Sequence, residues 1–413
     1  MLNSKTIQIK EYEEKKDLPC DLDLIALEKY LNRNKLSSAF KITPSGIKAK
    51  SFVGIIKFKN TQFEILPKLI SDSENDKIIL ENLIFMLSYT KNLDIKTTDS
   101  AKISQSKNPF LEVLIKEFSQ GLFDCLKRLT PKNYIREEEN LNFLKGKLKF
   151  SDNIKYNSSN QAKFYCEFDE FSEDNLLNQL FYYVSNCLYT ITKNSNNKKL
   201  LKLIIDYYCD IKLVRFDKFK ADKIKLTRNQ ELFKKPFKLA KMFVENSSVD
   251  LSKNNFENIT LLWDMNKLFE EFIYQVIKKH NIIENVSAQK TKRLLRTKDS
   301  TNRDTKTDIF TSNTIIDKKY KKFESFDDIS SADIYQVSTY CLIHHYKQAI
   351  LLYPQWNNTE VIEKCLNTDD KFENCDYKIK FAPVNLRLNL KEDLKSGDSE
   401  IVKELKNILK PED

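Results

Sequence analysis

Apolar residues along this chain switch repeatedly between two spacings, and the order of those switches is what most limits its fold. Side chains alternate across a strand but recur every turn of a helix, so period-two runs mark strands and 3.6-residue stripes mark helices. Within 6–69 the runs are short and strand-like, notably 52–58 and 63–67, with Lys59, Asn60 and Thr61 as a hairpin turn between them. A helix over 78–89 follows, with Ile79, Leu80, Leu83, Ile84 and Leu87 on its stripe. After a polar linker at 97–107, Asn108 as cap and Pro109 at the first helical position start a second helix, whose stripe is Phe110, Leu114, Phe118 and Leu122. The basic, aromatic stretch 132–155 contains 144–150, which reads as an exposed strand or turn; a solvated edge strand protected by its lysines accounts for the same residues. Ser172 as cap predicts a helix over 173–191, and another is expected over 198–209. A periodic helix over 259–279 carries Leu262, Met265, Phe269, Phe272 and Val276. Strands are then expected around Val286 and at 306–310, 314–320, 349–353 and 377–381, with a helix over 331–345, so the last third reads α-β-β-β-α-β-β.

The expected fold class is therefore α+β and multidomain, consistent with 413 residues as two or three domains. The expected division is a β-rich N-terminal domain at 1–100, a mixed, largely helical middle domain at 101–245, an α/β domain at 246–390 and a charged C-terminal tail at 391–413. Lys and Arg number 69 against 59 Asp and Glu, and the net charge of +10 favours polyanionic partners without requiring them. No stretch approaches the ~20 apolar residues of a membrane span, and residues 1–16 hold no apolar signal region, so a cytoplasmic protein is expected. The eight cysteines include no C-x-x-C pair and there are three histidines, which argues against a thiolate zinc site and for buried reduced thiols. None of the five glycines sits in a phosphate-cradling motif, so no nucleotide site is expected on this chain.

The residues with chemistry to offer lie near the end. Asp308 precedes a short polar turn, Thr311-Ser312-Asn313, that leads into Ile315-Ile316-Asp317-Lys318-Lys319-Tyr320. Strand alternation puts Asp317 and Lys319 on one face, where a carboxylate and an ammonium can converge beside Asp308. Two carboxylates that hold Mg²⁺, with a lysine to orient water or offset negative charge, are what phosphodiester hydrolysis needs. An acid, any residue and a base recur about ten times by chance in a chain of this composition, so context must discriminate. On pattern alone a solvated, charge-dressed hairpin remains open.

Four ordered stretches resemble the McrC family, the nuclease subunits of modification-dependent, 5-methylcytosine-specific McrBC restriction systems. Val53-Gly54-Ile55-Ile56 with Glu64-Ile65-Leu66-Pro67-Lys68 is similar to the family's signature hairpin, and 83–89 with Leu93-Asp94-Ile95 to the helix after it. Leu144-Lys145-Gly146-Lys147-Leu148 and 168–175 with Asn178 are similar to its central segment. Lys267-Leu268-Phe269-Glu270, then Asp308, 317–321 and Asp333-Ile334-Tyr335-Gln336, follow the order of its PD-(D/E)XK restriction-endonuclease-like domain. The resemblance implies that Asp308 and Asp317 are metal ligands for Mg²⁺ or Mn²⁺ and Lys319 the catalytic lysine. Glu270 becomes an auxiliary ligand or base, and Gln336 with Tyr340, one turn apart, positions substrate or the lysine. Glu270 and Gln336 also fit ordinary helix-surface residues. Thr307 stands where the family often has proline before the first aspartate. The implied partners are double-stranded DNA and a hexameric McrB-like AAA+ GTPase that binds the GTP, is stimulated by this chain and recognises the modified DNA; no membrane is involved. Lys290, Lys292, Arg293, Arg296, Lys298, Arg303 and Lys306 form either a DNA-backbone track or a solvated loop. Two other functions fit the same residues: a non-catalytic activator or scaffold of the ring, and a stand-alone RecB-like repair nuclease.

Overall fold

The computed structural model describes the chain outside residues 1–4, 20–21, 34–35, 38, 45, 68–75, 92–108, 160–161, 250–258, 284–286, 289–290, 296–302, 307–308, 311–313, 356–358, 367–376 and 411–413. The chain packs as two compact units, one made of residues 1–110 and 262–413 and the other of 111–261. The first and last thirds of the sequence, expected as separate segments, thus share one unit.

The first unit opens with β1 (Lys5–Lys10), β2 (Glu14–Lys15), α1 (Leu24–Arg33), β3 (Phe40–Thr43), β4 (Gly46–Ala49), β5 (Phe52–Phe58), β6 (Thr61–Leu66) and α2 (Asp76–Lys91). The hairpin is where the alternation put it: β5 and β6 pair antiparallel from Phe58↔Thr61 to Gly54↔Ile65, and Lys59 takes φ 51° in the turn. β1 adds to β6 in parallel. The helix α1 was not expected; Leu27, Tyr30 and Leu31 bury its apolar side against Phe40, Phe58 and Phe63. Leu83, Ile84 and Leu87 of α2 are buried as expected.

The second unit contains α3 (Pro109–Leu126, entering it at Leu111), β7 (Asn133–Leu141), β8 (Lys147–Leu148), α4 (Phe150–Asn157), β9 (Phe164–Ser172), α5 (Leu176–Ile191), α6 (Ser195–Tyr207), α7 (Lys218–Asp222), α8 (Lys234–Glu245) and β10 (Ser247–Val249). Its core is aromatic: Phe118 meets Phe181 and Phe243 at centroid distances of 6.4 and 6.0 Å, and Phe181 meets Phe233 at 6.0 Å. Asn175, not Ser172, caps α5 by accepting from the amides of Leu177 and Asn178; Ser172 closes β9 instead. Asn178 is fully buried and donates to the carbonyls of Pro131 and Glu173, both at 2.8 Å. In the stretch 144–150, Lys147 and Leu148 pair with β9 and Gly146 turns at φ 68°, but Phe150 already begins a helix.

The chain returns through β11 (Ile259–Asp264) to α9 (Met265–Lys279), then β12 (Ser287–Ala288), β13 (Thr291–Leu295), β14 (Arg303–Lys306), β15 (Ile309–Phe310) and β16 (Thr314–Lys318). It continues with α10 (Ser331–His344), β17 (Gln348–Pro354), β18 (Ile362–Leu366), β19 (Tyr377–Val384), α11 (Leu390–Asp393) and α12 (Glu400–Ile408). The helix expected from residue 259 starts only at Met265, because Asp264 accepts from the Asn266 amide and caps it there, leaving the apolar run before it as a strand. Val286 lies outside the described residues. The six-stranded sheet runs β12-β15-β16-β17-β19-β18; β16, β17 and β19 are parallel, and β15 and β18 are antiparallel to their neighbours. β18 was missed by periodicity since Glu363, Lys364 and Cys365 are exposed on the edge. Cys365 is exposed and disulfide-bonded, which corrects the expectation of buried reduced thiols at this position: a cysteine on an exposed edge strand has no burial to keep it a core thiol. Cys125, Cys166, Cys187 and Cys341 are free and buried, and burial pushes the Cys341 thiol up to about 11. Residues 400–408 are helix, with Ile401 and Leu405 fully buried, although charge alone had made them a tail. No described helix is long and apolar enough to cross a membrane.

Candidate active site

β16 is buried along its whole length and still carries Asp317 and Lys318, which are 2% and 5% exposed. Ionic groups are retained at such burial only where they have partners, and each face of the strand supplies one. On one face Lys318 donates from Nζ to the backbone carbonyl of Glu270 in α9 at 2.8 Å and lies 5.9 Å from the centre of the Tyr274 ring. On the other, Lys319 Nζ is 2.8 Å from Asp317 Oδ2 and donates to Gln336 Oε1 at 2.8 Å. Gln336 passes the chain on, its Nε2 donating to Tyr340 Oη at 2.8 Å. Tyr340 packs with Ile315 and Tyr346 under this face.

Helix α10 sits between two parallel strands as their crossover, which is why its residues reach the end of β16. Ser330 caps it by accepting from the Asp333 amide. Asp333, 5% exposed, accepts from Lys321 Nζ at 2.6 Å and holds the segment that leaves β16 against the first turn of the helix. Tyr320, next to Lys319, is fully enclosed and lies 3.2 Å from Glu11 Oε2; burial and then the Glu11 charge push its pKa well up, so the phenol keeps its proton and donates.

Asp317 and Lys319 thus share a face, as strand alternation predicts, and Gln336 with Tyr340, the pair that the resemblance implied, lies against them. Glu270 reaches β16 through its carbonyl, a backbone role its residue type did not signal. Asp308 lies outside the described residues, as do Lys290, Arg296 and Lys298; Lys292, Arg293, Arg303 and Lys306 belong to the antiparallel ribbon β13–β14. Among the described residues no three His, Cys, Asp or Glu side chains gather closely enough to hold a metal ion. At the carboxyl end of a parallel strand stands the buried Asp317 carboxylate, an oxygen donor of the kind Mg²⁺ takes. Missed by sequence reasoning were Lys318, masked by its own charge in a core strand, and Asp333 with Lys321, whose pairing depends on the crossover.

The fold and the site define an α+β chain whose mixed sheet presents a buried acid–lysine pair to its crossover helix. Residues 47–354 match the family model described as McrBC 5-methylcytosine restriction system component, and the chain belongs to that family. It is similar, at 22% identity and a TM-score of 0.63, to a chain in the refined half-complex from a tetradecameric assembly of Thermococcus gammatolerans McrB AAA+ hexamers with bound McrC, covering 98% of this chain and 99% of that one. A cryo-EM structure of the Thermococcus gammatolerans McrBC complex matches at 27% identity and a TM-score of 0.49, over 67% of this chain and 88% of that one. No curated protein matches.

Proposed function

We propose that this chain is the McrC-like endonuclease subunit of a GTP-dependent, modification-dependent DNA restriction complex, with a PD-(D/E)XK core at its C-terminal sheet. The observation that carries the reading is the Asp317–Lys319–Gln336 chain of contacts at the end of β16, inside a member of a restriction-system family. Asp317, with Asp308 and Glu270, is the oxygen set that would hold Mg²⁺ or Mn²⁺, and the metal supplies Lewis-acid stabilisation of the phosphate together with an activated water. Lys319 provides an ammonium beside the scissile phosphate, where it offsets the negative charge that builds on the phosphoryl oxygens. Gln336 fixes the direction of that ammonium, and Tyr340 fixes Gln336. The partner is an AAA+ GTPase hexamer of the McrB kind, which binds the GTP and which this chain stimulates; the substrate is double-stranded DNA.

Reconstitution tests the reading. Methylated and unmethylated plasmid are incubated with this chain, the AAA+ protein encoded beside it, GTP and Mg²⁺, leaving out one component at a time. Cleavage that needs every component is the expected outcome. GTP hydrolysis without cleavage of any DNA would leave an activator of the ring; cleavage by the isolated chain, unchanged by the ring, would make it a stand-alone nuclease.

A further inference from the structure

Tyr353 lies on β17, the strand beside Asp317. Asp317 is in register with Leu351 and Lys318 with Leu352, and the Lys319 amide donates to the Leu352 carbonyl at 2.9 Å, so the ladder continues until Tyr353 stands alongside Lys319. Alternation puts Leu351 and Tyr353 on the face that also takes Asp317 and Lys319. The ring is held firmly there: it stacks on Phe323 with centroids 4.9 Å apart, and packs in one core cluster with Val337 and Cys341 of α10. The hydroxyl is less well served. Tyr353 is 1% exposed, and its Oη has no hydrogen-bond partner among the described residues. A buried polar atom in that condition is disfavoured, and phenylalanine would fill the same space without it, so a role in packing does not account for the oxygen. Burial pushes its pKa up, and the nearby Asp333 and Asp317 charges push it further, so the phenol keeps its proton. Both acceptors are held by lysines, Asp317 by Lys319 at 2.8 Å and Asp333 by Lys321 at 2.6 Å.

We propose that Tyr353 is a positioning residue of the phosphodiesterase site, its hydroxyl donating to the Asp317 carboxylate when Lys319 turns from that carboxylate to the scissile phosphate. The inference rests on the nuclease reading above. A phosphate entering the site draws the ammonium away, and a carboxylate side chain only 3% exposed then loses that contact inside the protein. Tyr353 supplies a replacement contact, and it keeps Asp317 pointed in one direction while the lysine is engaged elsewhere.

The test is Tyr353→Phe, measured in two ways. The melting temperature of the purified chain without metal or DNA is expected to equal or exceed that of wild type, because the ring stack stays and the unpartnered oxygen goes. Cleavage by the variant assembled with its AAA+ partner is expected to fall about 10-fold in kcat, with KM for DNA unchanged within about twofold, as the loss of one hydrogen bond made only after substrate binds requires. An unchanged kcat overturns the proposal, and so does a fall in melting temperature, which would mark the hydroxyl as structural. Asp317→Asn in parallel separates the two failures. An active Asp317→Asn complex overturns the nuclease reading; an inactive one beside a fully active Tyr353→Phe complex overturns only the role of Tyr353.

Discussion

Lys149 and Glu138 in the second unit form an ion pair 2.8 Å long, and so do Lys319 and Asp317 in the first. In the sheet of β7, β8 and β9 the partners are 29% and 40% exposed, so water competes for both and salt screens them. At the end of β16 the lysine is 19% exposed and the aspartate 3%, so water does little for the carboxylate and protein groups must stabilise it. The same two charges at the same distance therefore dress a surface in one place and form an enclosed pair in the other. Enclosure makes the second pair chemically useful, since whatever displaces the lysine changes the surroundings of the acid.

Four substitutions break or sharpen that contrast, in order of expected effect. Lys319→Met should lower single-turnover DNA cleavage by about 100- to 1000-fold while the melting temperature stays near wild type, because it removes charge stabilisation aimed at the transition state. Asn178→Leu should destabilise the chain by about 2–3 kcal/mol in urea denaturation, since the buried Tyr208 hydroxyl loses its acceptor, the Pro131 and Glu173 carbonyls each lose one of their donors, and a branched side chain must fit the space of an amide. Gln336→Ala frees Lys319 from one of its holds and should reduce cleavage about 10-fold, chiefly in kcat, as measured against a DNA concentration series. Arg136→Met removes a contact to Glu167 at 3.4 Å from a side chain that is 68% exposed, and should change stability by no more than about 0.5 kcal/mol. If Arg136→Met cost as much as Asn178→Leu, burial would not be what decides the cost of losing a polar partner.

Local rules made much of this legible. The β5–β6 hairpin, the Pro109 helix start and the 331–345 helix follow from turn residues, caps and periodicity, and the Asp317–Lys319 face follows from strand alternation. Legibility failed where two local signals competed. The run before Asp264 is apolar enough to extend a helix, and only the cap reveals that it is strand; Ser172 looked like a cap until Asn175 took the two amides. It failed again where long-range pairing decides. Tyr353 sits in a run that reads as plain core, and nothing local says that β17 lies beside Asp317. Lys318 has the residue type of a surface lysine, and its partner is a carbonyl 48 positions away in the chain.

Asp317→Asn in the reconstituted complex tests the central claim most directly. The substitution preserves size and leaves an amide beside Lys319, so the fold and binding to the ring partner should persist while Mg²⁺-dependent cleavage of methylated DNA disappears. Cleavage at the wild-type rate by the pure variant complex would show that the buried acid on β16 is not where the chemistry occurs.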